Sequence, residues 1–65
     1  MPLKPNDISE GLCYVTSGGE IRKVIEQTDS EARFMRWDGS AWVGSHSMTL
    51  SGFASQARAE VPCPG

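Results

Sequence analysis

Three groups of turn-forming residues divide the chain up to residue 44 into short segments, and this spacing constrains the fold more than any other feature. The groups are Ser17-Gly18-Gly19, Thr28-Asp29-Ser30-Glu31 and Asp38-Gly39, the last of which strongly favours a tight hairpin. The segments between them are rich in β-branched and aromatic residues. Short runs of such residues joined by tight turns are typical of an antiparallel sheet.

This pattern predicts four strands and an extended stretch that would form a fifth, at residues 12–16, 20–27, 32–37, 41–44 and 45–48. The second segment has a helical alternative, because Ile21, Val24 and Ile25 also fit the spacing of one helix face. Its short length and the glycine pair before it favour a strand.

The last part of the chain predicts one helix, at about residues 50–60. Apolar residues recur there at every fourth position, namely Phe53, Ala57 and Val61. This narrow stripe fits a single helix lying on a sheet rather than a helix of a bundle. Either Thr49 or Ser51 can cap the start of the helix with its side-chain oxygen.

The length of 65 residues allows one small domain only. We expect a loose N-terminal arm, one folded domain and a tail, at residues 1–7, 8–61 and 62–65. The predicted fold is mainly β, a small antiparallel barrel of four or five short strands with one C-terminal helix. A flatter sheet of three or four strands covered by the helix is the alternative.

Several short motifs resemble those of small SH3-like proteins. They are Asp7-Ile8 with Gly11 and Tyr14, the Gly18-Gly19 turn, Arg22-Lys23-Val24, Trp37-Asp38-Gly39, and Ser51 with Phe53. Such proteins are common on phages, plasmids and other mobile elements, and many have no assigned role. The resemblance spans residues 7–61. It implies an SH3-like barrel and a mobile-element setting, and it identifies no catalytic residue.

The charge balance argues against a dedicated nucleic-acid binder. Six Lys and Arg residues oppose eight Asp and Glu residues, which gives a formal charge of −2, whereas phosphate neutralisation requires the opposite balance. No apolar run is long enough to span a membrane, and the first residues lack the apolar core of a signal peptide. A cytoplasmic location is therefore expected.

In the cytoplasm, Cys13 and Cys63 would be reduced thiols, the first a small apolar strand residue and the second a thiol in the tail. A disulfide between them is the less favoured alternative. It would contribute about 4 kcal/mol by restricting the unfolded chain.

The sequence offers no catalytic or metal-binding constellation. His46 is the only histidine, and we expect it to be an exposed residue of a loop or strand rather than part of a site with Ser45 or Ser47. Cys13, His46 and Cys63 lack the close ligand spacing of a structural zinc site. We therefore predict no enzymatic activity, no metal and no cofactor.

The aromatic and basic residues of the strands are the candidate binding residues, namely Tyr14, Arg22, Arg36, Trp37 and Trp42. Core or cross-strand packing is the favoured interpretation of the tryptophans, because a tiny domain needs large side chains to fill it. The functional interpretation is a shallow aromatic groove, with Arg22 and Arg36 sharing a face with one tryptophan. The grooves of SH3-like folds take proline-rich peptides, other extended segments or stacked bases.

Three functional hypotheses follow. The first is a non-enzymatic binding module that engages a protein partner through an aromatic groove or a sheet edge. The second is a nucleic-acid-binding accessory protein whose cations are Arg22, Lys23, Arg33 and Arg36; neutralisation of these strands by nearby glutamates is the more expected outcome. The third is a homo-oligomer with a site at the subunit interface, because isolated domains of this size are marginally stable.

Overall fold

Five antiparallel strands form one sheet, and a short helix precedes the last strand. The computed structural model describes residues 3–64. The strands are β1 Cys13–Thr16, β2 Ile21–Gln27, β3 Glu31–Trp37, β4 Trp42–Thr49 and β5 Ala57–Val61, and the helix α1 spans Leu50–Gln56. The prediction of a mainly β chain with one helix in its C-terminal part is confirmed.

The sheet is open rather than closed. Its strand order is β4-β3-β2-β1-β5, so that β4 and β5 form the two edges and do not pair with each other. A closed barrel needs those edges to be hydrogen-bonded. The SH3-like barrel expected from the sequence is therefore not confirmed. No helix within residues 3–64 is long and apolar enough to cross a membrane.

The helix α1 ends earlier than predicted, and the residues after it form a strand. Ala57 already has an extended backbone, with φ −78° and ψ 136°, and it begins β5. Phe53, Ala57 and Val61 are spaced four residues apart, which suggested one continuous helix. Residues 57–61 instead form a strand, because the edge of β1 provides hydrogen-bonding partners for their backbone. The predicted helix to residue 60 is therefore wrong over residues 57–60.

Strand β4 is one bent strand that includes the stretch predicted as a separate fifth strand. Arg36 pairs with Val43, and Phe34 pairs with His46. Between these pairs β4 contains one residue more than β3, which is a β-bulge. Gly44 in this bulge has φ +70°, and a Cβ there would lie 2.8 Å from the His46 Nε2 atom. Glycine thus permits the bend.

The core lies between the sheet and α1. Its aromatic centre consists of Tyr14, Phe34 and Phe53, with ring centroids 5.8 Å apart for Tyr14–Phe53 and 5.3 Å apart for Phe34–Phe53. Leu50 and Ala54 of α1 complete the helix contribution. We call the side of the sheet that α1 covers the inner face, and the opposite side the outer face.

Residues 3–7 of the segment predicted as a loose arm include contacts with the rest of the domain. Residues Pro5–Asp7 form a turn of 3₁₀ helix, Leu3 packs against the core, and the Leu3 amide donates to the Ala57 carbonyl at 3.3 Å. Residues 1 and 2 of the predicted arm, and residue 65 of the predicted tail, lie outside the described residues.

Cys13 and Cys63 form a disulfide, with their Cα atoms 5.3 Å apart. The prediction of two reduced thiols is therefore wrong. Strand β5 explains the error, because it pairs Val61 with Cys13 and so brings residue 63 beside β1. A helix to residue 60 gave no reason to place the two sulfurs together.

Candidate functional site

The outer face of the sheet carries a row of apolar side chains across five strands. Val15 lies between Ala59 and Ile21 in register, and Trp37 lies opposite Trp42. Ala59 is exposed and the other four are half-buried. The buried residues of α1 pack on the inner face, so that the helix leaves this row accessible.

The two tryptophans form the most prominent contact of this row. Their rings meet edge to face, with centroids 5.1 Å apart and planes at 62°. Both indoles keep part of their surface exposed, and each ring restricts the motion of the other. Such aromatic pairs stabilise a hairpin by about 0.5–1.5 kcal/mol beyond the area that they bury.

Lys23 lies beside the tryptophan pair. On the outer face it is flanked by Cys13 and Met35 in register, and its Nζ atom lies 5.8 Å from the centroid of the Trp42 ring. None of the carboxylates in residues 3–64 forms an ion pair with Lys23. The half-buried lysine therefore places a positive charge beside the apolar side chains of Met35 and Trp42.

Arg22 and Arg36 lie on the inner face, away from the tryptophans. They pair with each other in register, and both bind Glu20, Arg22 through Nε and Arg36 through Nη1 at 3.3 Å. The guanidinium of Arg22 also lies 4.8 Å from the centroid of the Phe34 ring. The sheet therefore separates these arginines from the indole rings that were predicted to share their face.

Glu20 is held in its charged form by the two arginines. Burial alone would raise the pKa of Glu20, but the hydrogen bond and charge of Arg22, with the charge of Arg36, outweigh it and lower the pKa. The carboxylate thus neutralises much of the charge that an anionic ligand would use.

Tyr14 belongs to the core and does not line a surface, because its side chain is fully buried. Its hydroxyl accepts a hydrogen bond from the Ser9 amide at 2.9 Å and donates one to the Asp7 carbonyl at 3.0 Å. Burial raises the pKa of this hydroxyl. Tyr14 therefore fastens the N-terminal segment to the core.

The four cations of the nucleic-acid hypothesis do not lie on one face. Lys23 and Arg33 lie on the outer face and Arg22 and Arg36 on the inner face, as the strand registers require. Arg33 pairs with Glu26 at 4.0 Å. Only Lys23 among the four lacks a carboxylate partner within the part of the chain that the structure describes.

The remaining candidate features offer little room for chemistry. A depression of about 60 Å³ lies near the start of β3 and is lined by Glu26, Thr28, Glu31, Ala32, Arg33 and Ser47. This volume holds only a few water molecules. Residues 3–64 contain no group of three or more His, Cys, Asp or Glu side chains placed to hold a metal.

No protein-family model matches this chain, and comparisons with curated proteins and with solved structures find no match. Function must therefore be inferred from the surface of the molecule itself. On that surface, the partly exposed tryptophan pair has the ammonium group of Lys23 beside it.

Proposed function

We propose that the protein is a small, non-enzymatic binding module that engages a protein partner through the outer face of its sheet. The observation that supports this proposal is the Trp37–Trp42 pair, which keeps part of its surface exposed on the side of the sheet opposite α1. Tryptophans that are already held in place lose little conformational freedom on binding. They are among the residues that dominate protein interfaces.

The neighbours of the pair support a protein partner. Val15 and Ile21 continue the apolar surface across β1 and β2, and contiguous apolar patches on small proteins commonly mark interaction sites. Strand β4, which carries Trp42, is also an edge strand. An extended segment that pairs with this edge would lie next to the indole of Trp42.

A nucleic-acid partner receives less support. Binding to phosphates needs several free cations along one surface, whereas Arg22, Arg33 and Arg36 each contact a glutamate. The formal charge of −2 also opposes the approach of a polyanion.

The disulfide bears on where this module works. Structural disulfides are rare in the reducing cytoplasm and common in oxidising compartments. The Cys13–Cys63 bond therefore favours an oxidising setting over the cytoplasmic location expected from the sequence. The relation to SH3-like proteins of mobile elements stays a prediction.

Selection of peptide ligands tests the binding function. A library of random peptides displayed on phage is selected against the wild-type protein, and the enriched peptides are titrated into labelled protein. We expect saturable binding that shifts the indole NMR signals of Trp37 and Trp42. Trp42→Ala should abolish binding, because it removes the partly exposed indole that lies on the edge strand beside Lys23.

The matched control is Val43→Ala. Val43 is an exposed apolar residue of the same strand, but it pairs with Arg36 and lies on the inner face. Binding that survives Trp42→Ala, or peptides whose shifts map to the inner face, would contradict the proposal. The indole signals of the wild-type protein decide the matter even where a tryptophan variant fails to fold.

A further inference from the structure

On the basis of the proposed function, we infer that the partner segment is acidic: the outer face binds an extended apolar peptide whose carboxylate pairs with Lys23. The observation behind this inference is the contrast between Lys23 and the arginines of the neighbouring strands. Arg22, Arg33 and Arg36 each have a glutamate partner. Lys23 has none among residues 3–64, although it is half-buried.

Lys23 lies so close to Trp42 that a partner bound to the indole also contacts the lysine. Its ammonium group lies 5.8 Å from the centroid of the Trp42 ring, and Met35 is its neighbour on β3. A peptide that covers the exposed part of Trp42 therefore also removes water from Lys23. Burying an unpaired ammonium group is strongly unfavourable, whereas burying it against a carboxylate recovers the lost interaction.

The disulfide borders the surface around Lys23 on the side of β1. Cys13 is the neighbour of Lys23 on β1, and it is only 1 % exposed. Its bond to Cys63 holds the tail residues beside β1. Lys23 thus lies between the disulfide-linked tail and the indole of Trp42. We expect the carboxylate of the peptide to bind between these two features.

Other occupants fit this charge less well. A second copy of the chain would bring another Lys23 to the interface, while the residues that flank it in the outer-face register, Cys13, Met35 and Val61, carry no carboxylate. A single-stranded nucleic acid would find Lys23 as the cation beside the tryptophan pair, whereas such binding relies on a line of positive charges.

The experiment reads the sequences of the peptides selected in the display experiment and measures their affinity for charge variants. We expect the peptides that depend on Trp42 to be enriched in Asp and Glu. Lys23→Gln should weaken their binding by about thirtyfold or more, the loss expected for one partner of a desolvated ion pair. Lys23→Arg, which keeps the charge, should retain most of the affinity.

Lys4→Gln is the matched control, because Lys4 is an exposed lysine that also lacks a carboxylate partner within residues 3–64. It should leave binding unchanged. A second control replaces the acidic residue of a selected peptide by its amide, which should reproduce the loss caused by Lys23→Gln and should add nothing to it in the Lys23→Gln protein.

The outcomes separate this inference from the proposed function. Neutral peptides that need Trp42 but tolerate Lys23→Gln would overturn the inference and leave the binding function intact. Absence of any ligand that needs Trp42 would overturn both. A single-stranded oligothymidine that shifts the indoles at low salt, where acidic peptides do not, would replace the peptide by a nucleic acid. Self-association that Trp42→Ala abolishes, without any bound peptide, would replace it by a second copy.

Discussion

At the scale of the residue, Tyr14 joins the core to the N-terminal segment. Its ring packs edge to face on Phe53, and its hydroxyl bridges the Ser9 amide and the Asp7 carbonyl. The sequence placed Tyr14 correctly on a strand, but a binding role requires exposure. Burial is a property of the packed molecule, and no local pattern around residue 14 distinguishes a core tyrosine from a surface one.

Tyr14→Phe should lower the free energy of unfolding by about 1–3 kcal/mol, because it leaves two partly buried backbone groups without their partner. The phenyl ring keeps the contact with Phe53, so that the change isolates the hydroxyl. Urea denaturation followed by tryptophan fluorescence measures the effect. An unchanged unfolding midpoint would show that water replaces both hydrogen bonds at no cost.

The lowered pKa of Glu20 predicts that the stability of the protein depends on pH. Its pKa is lowered in the folded protein, since Arg22 and Arg36 more than offset its burial. A carboxyl group with a lowered pKa stabilises the fold above its ordinary pKa, and this contribution is lost as the pH falls through the folded value. Glu20→Gln should therefore destabilise the protein at neutral pH and have progressively less effect in acid.

Melting temperatures of the wild-type and Glu20→Gln proteins across the acid range measure this convergence. Glu26→Gln is the matched control, because the Glu26–Arg33 pair is exposed on both sides, with 62 % and 54 % of the side-chain surfaces accessible. Exposed pairs contribute little. Parallel melting curves for wild-type and Glu20→Gln at every pH would contradict the assigned role.

At the scale of the element, the bulges decide which side chains share a face. Gln27 pairs with Ala32, and uninterrupted alternation from that pair would set Arg22 opposite Trp37. The irregularity between Val24 and Glu26 shifts β2 by one residue, so that Arg22 pairs with Arg36 instead. One extra residue moves a whole strand segment to the other face. The strands were predictable from composition and turns, whereas their faces were not.

The start of α1 was also predictable, with two alternatives. The structure selects Thr49, whose Oγ1 accepts a hydrogen bond from the Gly52 amide at 3.2 Å. Ser51 lies inside the first turn of the helix. In so short a helix, the amides of the first turn, which lack a helical partner, are a large share of all the backbone amides.

Thr49→Ala should lower the free energy of unfolding by about 1 kcal/mol, the usual effect of removing a capping side chain. Ser51→Ala is the matched control and should change stability much less, because alanine favours a helix interior. Chemical denaturation compares the two. A larger loss for Ser51→Ala than for Thr49→Ala would reverse the assignment of the cap.

At the scale of the whole molecule, the disulfide joins the first strand to the tail beyond the last. It closes a loop with a sequence separation of 50 residues. The disulfide was an open alternative in the sequence, but it becomes favoured only if residues 57–61 form a strand beside β1. Ala57 and Val61 also fit the spacing of one helix face, so that the sequence favoured a helix there instead. The open state of the sheet was likewise not predictable, because it depends on whether the two edge strands, β4 and β5, pair with each other.

Replacing both cysteines by serine should lower the free energy of unfolding by about 4 kcal/mol, because the unfolded chain regains the freedom of the loop. Urea denaturation of the double variant and of the oxidised protein measures the difference, and a thiol assay of the unfolded wild type confirms that no free thiol is present. A loss below about 1 kcal/mol would mean that native-state strain cancels the entropic gain.

The same bond determines how the protein responds to a pulling force. Tension applied to the two chain ends reaches the disulfide after the short segments outside it, so that all five strands lie within a covalently closed loop. Mechanical unfolding of the oxidised protein can therefore extend only the residues outside this loop. Reduction adds the enclosed segment with its sequence separation of 50 residues, about 170 Å of contour length at full extension. The bond thus keeps residues 13–63 from extending, a property set by one covalent link rather than by the strength of the sheet.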